Sequence, residues 1–323
     1  MKKVTLFSFA SILIIGISSY ISKQESTLSV SDILFDLGDT KPLHYISSID
    51  EKKVEIGKAL YFEGSYDGSK RISKHYVCSN CHNTVREDPD LTKSNPETRL
   101  KYAAEKQIPF LQGTTMYGVV NRTTWYNDDY EKKYGDLVIA SRDTLENAIQ
   151  LCAEVCSQGR RLESWELEAF IHYFWTLQMN MDDLDLSSKE KEIINKKEEG
   201  AIDLIKSKFL SGSPATFIGP LPVENRKYGE GASVENGAII FRQSCLECHS
   251  PEKDITNLKL EDNRLTKKLL KSKMRTNKDL SIYKITRAGT YPIEGYKPYM
   301  PHYTKERLSD KQIEDLAAYI KSK

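Results

Sequence analysis

Two copies of one short pattern, C-x-x-C-H, carry the residue types and the spacing that could do chemistry in this sequence. They are CSNCH at residues 78–82 and CLECH at residues 245–249, in a chain of 323 residues with only 6 Cys and 6 His. Two cysteines at this spacing can form thioethers to the vinyl groups of one haem, and the adjacent histidine can bind the iron from one side. The predicted haem-binding residues are Cys78, Cys81 and His82 in the first copy and Cys245, Cys248 and His249 in the second. The sequence therefore predicts two covalently bound haem c groups.

Three other kinds of site use paired cysteines, and each expects a different sequence context. A zinc ribbon has its two C-x-x-C pairs about 15–20 residues apart, whereas 163 residues lie between Cys81 and Cys245. A dithiol of the thioredoxin type expects a βαβ setting, but the flanks here are typical of helix and loop. Structural disulfides would not require a histidine in both copies. The motif therefore favours covalent haem over these alternatives.

The second haem has a candidate for its other iron ligand in Met300. This residue follows His249 by 51 positions and lies just before the last predicted helix, next to Pro301. A thioether opposite a histidine raises the haem potential relative to stronger donors. The alternative is a loop methionine that fills a gap in the packing. We predict that Met300 is the ligand, and that His302 is a surface histidine or lies on the propionate side.

Several residues of the first half could provide the sixth ligand of the first haem. Met116 follows His82 by 34 residues, and Cys152 follows it by 70 on a helical segment. A reduced cysteine in an exported protein needs an explanation, and Cys152 with Cys156 could instead form a disulfide at a helix end. The histidines of this half are His44, His75 and His172. The residues alone leave these alternatives open.

The elements that must position these residues have the patterns of helices and irregular loops. The sequence from Ser48 to Glu51 has the S-x-x-E pattern of a capping box, and Ser309 to Gln312 has the S-x-x-Q form before the last helix. Further helices are predicted at 144–157 and 164–179. Each half thus has a short helix, a C-x-x-C-H motif, a long irregular middle and a closing amphipathic helix. This plan predicts a mainly α fold of two tandem domains with long loops around the haem.

The two halves give the chain its predicted domain organisation. The predicted ranges are 1–22 as a signal peptide or N-terminal anchor, 45–180 as the first haem c domain, 181–230 as a helical linker with Pro and Gly, and 231–323 as the second haem c domain. Lys2 and Lys3 precede an uncharged run from Val4 to Ile21, which is the pattern of a secretion signal. The run is also close to the length that spans a bilayer. We therefore expect a periplasmic protein, either free or tethered to the inner membrane by an uncleaved N-terminal segment.

Composition limits the kinds of partner. Lys and Arg number 47 against 46 Asp and Glu, which gives a formal charge of +1. Nucleic-acid binding usually requires a strongly basic face, so we expect no nucleic-acid partner. The hydrophobic fraction of 39% excludes a disordered chain.

Both halves resemble the class I c-type cytochromes. That family packs its first helix across its last helix, through a glycine and an aromatic residue four positions later. The matching residues are Gly237 and Phe241 against Leu316 and Tyr319 in the second half, and Gly57 and Tyr61 against Phe170 and Tyr173 in the first. Glycine permits the close backbone approach at such a crossing. The resemblance implies two tandem class I cytochrome c-like domains.

The first half also resembles the first domain of di-haem thiosulfate dehydrogenases and the A subunit of the sulfur-oxidising cytochrome complex. In those proteins a Cys precedes a Gly by seven residues and a Leu by ten, as Cys152 precedes Gly159 and Leu162 here. A helix with the pattern E-x-x-A-x-x-x-Y follows, and residues 166–173 fit it. The resemblance implies that Cys152 is a thiolate ligand of the first haem and part of a catalytic centre. The Arg that usually stands four residues before the Cys is Ala148 here.

Two functions follow as expectations. The first is an electron carrier in a periplasmic respiratory chain, which passes electrons through the His/Met haem to a small cytochrome or a terminal oxidase. The second is a thiosulfate dehydrogenase-like oxidoreductase, in which cationic side chains near the first haem would bind thiosulfate. The candidate cations are Arg122, Arg142, Arg160 and Arg161. A haem-bearing docking subunit of a membrane oxidoreductase would suit an uncleaved N-terminal anchor.

Overall fold

Helices and irregular segments make up the computed structural model, which describes residues 28–126, 128–275, 280–290 and 299–322. These residues contain no β-strand, only an isolated antiparallel bridge between Ser29 and Asn180. The predicted mainly α fold is therefore confirmed. The predicted signal or anchor, residues 1–22, lies outside the described residues. Among the described helices, none has both the length and the apolar character that crossing a membrane requires.

The described part of the chain contains thirteen α-helices, mostly short. They are α1 Val30–Asp36, α2 Glu51–Glu63, α3 Pro96–Lys106, α4 Asp128–Tyr134, α5 Leu145–Leu151, α6 Ser164–Trp175, α7 Ser188–Asn195, α8 Ala201–Lys206, α9 Val234–Ile240, α10 Leu246–His249, α11 Arg264–Met274, α12 Ile282–Ala288 and α13 Asp310–Lys321. One π-helical turn, Cys152–Cys156, continues α5, and another, Phe241–Cys245, joins α9 to α10.

The caps of α2 and α13 show how far the sequence pattern determines helix starts. In α13 the predicted capping box is present, because Ser309 Oγ accepts from the Gln312 N–H at 3.1 Å and Gln312 Oε1 accepts from the Ser309 N–H at 3.0 Å. In α2 the prediction was wrong by two residues. Asp50 rather than Ser48 is the N-cap, and its carboxylate accepts from the N–H groups of Lys52 and Lys53. A carboxylate at the N-terminus also interacts favourably with the helix dipole.

The first predicted helix crossing is formed by α2 and α6. A Cβ atom on Gly57 would lie 2.2 Å from the carbonyl oxygen of Ala169 and 2.8 Å from Cβ of Tyr173. Only a glycine permits this approach of the two backbones. One turn later the rings of Tyr61 and Tyr173 meet edge to face, with their centroids 5.7 Å apart.

The second predicted crossing, between α9 and α13, repeats this geometry. A Cβ atom on Gly237 would lie 2.0 Å from the carbonyl oxygen of Asp315 and 2.7 Å from Cβ of Tyr319. The rings of Phe241 and Tyr319 are 5.5 Å apart. The glycine, the aromatic residue four positions later and their partners thus take equivalent places in both halves.

Three hydrophobic clusters fill the interior of the described residues. One lies around the crossing of α2 and α6, and another around the crossing of α9 and α13. The third joins α1 to α7 and α8, so part of the predicted linker 181–230 packs against the start of the described chain. The segment from Leu100 to Phe110, although it belongs to the first half, packs in the cluster of α9 and α13. The two halves therefore share buried surface.

Candidate haem sites

The second motif opens onto a large apolar cavity. The π-helical turn that ends at Cys245 continues into α10, and this places Cys245, Cys248 and His249 on one side, because residues three and four apart share a helix face. All three line a cavity with about 1300 Å³ of empty space, its open mouth included. Apolar side chains that form its walls include Phe241, Leu260, Leu270, Ile282, Leu308 and Leu316. A flat apolar macrocycle attached to the two cysteines fits this enclosure.

The His249 ring is fixed in one tautomer. Its Nδ1 atom lies 2.7 Å from the carbonyl oxygen of Leu258. A carbonyl oxygen can only accept, so Nδ1 carries the proton and Nε2 keeps its lone pair. Burial lowers the pKa of His249, against the opposing effect of this hydrogen bond. The ring is therefore neutral near pH 7 and suited to bind iron through Nε2.

Met300, the predicted second ligand, lines the same cavity as His249. Its N–H donates to Thr290 Oγ1 at 2.6 Å, and its carbonyl accepts from the Thr290 N–H at 2.9 Å. Gly289, which ends α12 with φ +58°, approaches so closely that a Cβ there would lie 2.4 Å from the Met300 carbonyl oxygen. The structure thus brings Met300 together with the second motif and fixes its backbone through residues 289 and 290.

The first motif lies on a short 3₁₀ turn, Cys78–Asn80, and its histidine is fixed in the same manner. The Nδ1 atom of His82 lies 2.6 Å from the carbonyl oxygen of Thr114. Gly113 lets this loop approach, because a Cβ there would lie 2.6 Å from the His82 ring. Burial lowers the pKa of His82. Its Nε2 atom therefore also keeps a free lone pair, which is the requirement for an iron ligand.

The motif cysteines are partly buried thiols that form no disulfide. Burial raises the pKa of Cys78 and Cys245 to about 12 and that of Cys248 to about 11, and it also raises the pKa of Cys81. All six cysteines are free. In the described part of the chain, no three His, Cys, Asp or Glu side chains are grouped so that they could hold a metal ion. A structural zinc site, which needs four such ligands, is therefore not formed there.

Cys152 lies beside the first motif. Its pKa is raised by a hydrogen bond with Cys156 and by burial, and also by the thiols of Cys78 and Cys81, which are near enough to interact with it electrostatically. The same hydrogen bond lowers the pKa of Cys156. The π-helical turn brings the two sulfur atoms into contact, and they form no disulfide. The structure thus brings Cys152 together with Cys78 and Cys81.

Met116 lies in the loop that orients His82, and its side chain packs against the same hydrophobic cluster as Cys78. Its N–H donates to the carbonyl of Asn83 at 2.7 Å, and it follows by two residues the Thr114 carbonyl that accepts from His82 Nδ1. Its backbone therefore belongs to the loop that faces the Nδ1 edge of the ring. Two of the remaining histidines have contacts elsewhere: His44 Nε2 bonds to the carbonyl of Val120 at 3.0 Å, and His172 Nδ1 accepts from the Asp50 N–H at 3.1 Å.

The two motifs adjoin each other. Cys248 is near enough to Cys81 to raise the pKa of Cys81 electrostatically. Tyr76 interacts with both of these cysteines and lines the second cavity. Gln112 also lines that cavity and hydrogen-bonds to Cys81. Tyr76 and Gln112 therefore lie between the two sites.

Three of the four candidate anion-binding arginines have carboxylate partners. The ion pairs are Arg142–Glu131 at 3.4 Å, Arg160–Glu166 at 2.6 Å and Arg161–Glu154 at 3.6 Å. Arg122 is buried, and its Nη2 donates to the carbonyl oxygens of Thr115 at 2.7 Å and Tyr117 at 3.3 Å. Three of these arginines are thus paired with carboxylates, and the fourth donates to backbone carbonyls.

Sequence reasoning missed the residues that orient the ligands. Thr114 and Leu258 act through backbone carbonyls, which have no signature in the residue type. Gly113 and Gly289 carry a weak signal, since glycine indicates a close approach or a positive φ. Tyr76 and Gln112 become functional candidates only when the two halves are packed against each other.

A comparison with protein families supports this chemistry in the second half of the chain. Residues 232–320 match the family described as cytochrome C oxidase, cbb3-type, subunit III. No curated protein and no solved structure matches the chain. The family match supports a c-type cytochrome domain in this region, with covalently bound haem c and an electron-transfer role.

Proposed function

We propose that the chain is a di-haem c-type cytochrome that carries electrons, with one haem c at each motif. The observation that carries the proposal is the equivalent setting of the two histidines. Each ring donates from Nδ1 to a backbone carbonyl, at 2.6 Å for His82 and 2.7 Å for His249, and keeps Nε2 free. Each motif also follows a helix whose glycine crosses a later helix of the same half. The first half thus has the ligand geometry of the half that matches a cytochrome family.

Each site residue has a separate task in this function. Haem c supplies a reversible one-electron iron couple when it is bound. Cys245 and Cys248 attach it, while His249 and Met300 provide nitrogen and thioether ligands from the walls of one cavity. The apolar walls exclude water, and low polarity with a thioether ligand favours the reduced iron. This supports a high potential for the second site.

For the first site we propose Cys152 as the sixth ligand. Cys152 lies near Cys78 and Cys81, and the resemblance of residues 152–173 to the first domain of thiosulfate dehydrogenases supports this assignment. Met116 is the alternative, because its side chain packs against the same hydrophobic cluster as Cys78. A thiolate donates more strongly than a thioether, so this ligand lowers the potential of the first site relative to the second.

The carrier is favoured over a thiosulfate-oxidising enzyme by the arginine contacts. A site for a dianion requires unneutralised cations near the reacting centre. Arg142, Arg160 and Arg161 each pair with a carboxylate. The position of Cys152 beside the first motif favours the enzyme. Addition of thiosulfate to the oxidised protein distinguishes the two functions: reduction of the visible haem bands supports the enzyme, and a lack of reduction under conditions where ascorbate reduces them supports the carrier.

We further propose that the protein works in the periplasm and delivers electrons to a small cytochrome or a terminal oxidase. The basic, then apolar, N-terminal sequence supports export. The name of the matched family, a subunit of a cytochrome c oxidase, supports a respiratory partner. An N-terminal tether to the inner membrane would be seen as retention of the protein in the membrane fraction after a high-salt wash.

Mass spectrometry of protein matured in a host competent for haem c attachment tests the di-haem proposal. We expect the added mass of two haem groups. Replacing Cys78 and Cys81 by Ser should remove one haem, and the same change at Cys245 and Cys248 should remove the other. Replacement of Cys156 by Ser is the matched control and should keep both. A wild-type protein with one haem or none would contradict the proposal.

A further inference from the structure

One peptide group connects the first histidine to a buried carboxylate. The carbonyl of the Thr114–Thr115 peptide accepts from His82 Nδ1 at 2.6 Å, and the N–H of the same peptide donates to Glu87 Oε1 at 3.0 Å. The carbonyl and the N–H belong to one conjugated unit. Hydrogen bonds in such a chain polarise one another, and they do so more strongly in the low dielectric of a protein interior.

Glu87 is held in this position by the second half of the chain. Its side chain is only 1% exposed. Arg307, in the segment before α13, donates to Glu87 Oε1 at 2.5 Å and to Oε2 at 3.1 Å, and it also donates to the carbonyl of Leu111. Asn83 donates to Oε2 at 3.2 Å. Two donors from Arg307 thus fix the carboxylate in the orientation in which it accepts from Thr115.

In the described part of the second site, no corresponding carboxylate lies behind the histidine. His249 donates to the Leu258 carbonyl, and the N–H of that peptide group belongs to Lys259. Among the residues that the structure describes, no carboxylate accepts from this N–H. The two sites therefore differ in the atoms behind the histidine, although the histidine bonds themselves have nearly equal lengths.

We propose that Glu87 is a positioning residue that lowers the reduction potential of the first haem through the Thr114–Thr115 peptide. The inference rests on the proposed function, since it requires His82 to be an iron ligand. A carboxylate that accepts from the peptide N–H makes the carbonyl oxygen a stronger acceptor. The carbonyl then attracts the Nδ1 proton more strongly, and Nε2 becomes a better donor. A more basic ligand stabilises the ferric iron.

Arg307 maintains this effect. Its guanidinium comes from the half that contains the second site and holds the Glu87 carboxylate charged and in position. Removal of the carboxylate charge should therefore raise the potential of the first haem, and removal of Arg307 should weaken the same hydrogen-bond chain. The His82 Nδ1–H resonance separates this effect from a general loss of structure, because it reports the histidine hydrogen bond itself.

The test measures the potentials of both haem groups and the ¹⁵N and ¹H shifts of the histidine Nδ1–H groups in the reduced, diamagnetic protein. In Glu87→Gln we expect a higher potential for the first haem and a His82 Nδ1–H resonance that moves toward that of His249. In Arg307→Gln we expect the His82 Nδ1–H resonance to move in the same direction, because the carboxylate loses the guanidinium that holds it. The potential of the second haem should stay unchanged in Glu87→Gln.

Asp88→Asn is the matched control for through-space charge. Asp88 is the next residue and pairs with Arg99 at 2.9 Å, and no hydrogen bond connects its carboxylate to the Thr114–Thr115 peptide. We expect Asp88→Asn to leave the His82 resonance in place. An unmoved resonance in Glu87→Gln, or an equal movement in Asp88→Asn, overturns the inference. If the first haem is missing from the wild-type protein, the proposed function itself fails. If Glu87→Gln does not fold, the shift in Arg307→Gln decides.

Discussion

A substitution at Gly289 tests whether this glycine holds the Met300 backbone in position at the second site. Gly289 ends α12 with φ +58° and ψ −158°, a conformation that is essentially restricted to glycine. A Cβ atom there would lie 2.4 Å from the Met300 carbonyl oxygen and 3.1 Å from the nitrogen of His302. In Gly289→Ala the new methyl group therefore meets backbone, which cannot rotate away as a side chain could.

The magnitudes show which part of the structure must move. Keeping the backbone in place costs about 1–3 kcal/mol for the conformation and about 1–3 kcal/mol for overpacking. Moving Met300 away breaks its two hydrogen bonds with Thr290, at 2.6 and 2.9 Å, and each is worth about 1 kcal/mol. Displacement of Met300 is the less costly response. We therefore expect a loss of about 2 kcal/mol in the free energy of unfolding, together with loss of the thioether ligand.

The assay combines the methionine-to-iron charge-transfer absorption, the potential of the second haem and chemical unfolding. In Gly289→Ala we expect the absorption to vanish and the potential to fall, since a thioether ligand raises it. Gly219→Ala is the matched control, because a Cβ at Gly219 meets nothing within 4 Å. If Gly289→Ala keeps the absorption, the potential and the stability of the wild type, the reasoning about Met300 is refuted.

Three further predictions concern other parts of the chain. In Gly237→Ala the added Cβ would lie 2.0 Å from the Asp315 carbonyl oxygen. We therefore expect the free energy of unfolding, measured from the denaturant midpoint, to fall by about 3 kcal/mol. An unchanged midpoint would contradict the close helix crossing. The pKa of Glu87 is about 2, because the charges of Arg307 and Arg99 outweigh the effect of burial. The ionised carboxylate therefore contributes to the free energy of unfolding above pH 4.5, and this contribution should decrease by about 3 kcal/mol as the pH falls toward 2. Acid unfolding curves of Glu87→Gln should lack this decrease. In Cys152→Ala the electron paramagnetic resonance signal of the oxidised first haem should change, whereas Met116→Leu should leave the signal unchanged. The reverse result would indicate that Met116 is the ligand.

The helix crossings and the capping box at Ser309 show what short-range patterns determine. The resemblance to the class I cytochromes, carried by a glycine followed four residues later by an aromatic residue, predicts both crossings. Glycine is required there because a Cβ atom would clash with the other helix backbone. The start of α2 was less well determined. Three acceptors, Ser47, Ser48 and Asp50, lie within four residues, and the pattern S-x-x-E selected Ser48 although the carboxylate of Asp50 is the cap.

The packing between the halves could not be predicted from the sequence. The segment from Leu100 to Phe110 belongs to the first half by order but lies in the cluster of α9 and α13. The Phe110 N–H donates to the carbonyl of Gln243 at 2.7 Å, and Arg307 reaches back to Glu87. Periodicity identifies the buried face of a helix, but it does not identify the helix that covers this face. The predicted ranges of the haem domains and of the linker stay a prediction.

The sequence by itself predicted the chemistry: paired cysteines next to a histidine, twice, form a pattern for covalent haem attachment that depends only on residue type and local spacing. It also determined the helical class, because glycine, capping and apolar periodicity act over a few residues. Only the tertiary structure decided which atoms lie behind and across from each histidine. The carbonyls of Thr114 and Leu258, the placement of Cys152 beside the first motif and the position of Tyr76 between the sites depend on segments that are distant in the chain. Backbone acceptors are the same in every residue, so only folding selects the ones that orient a ligand.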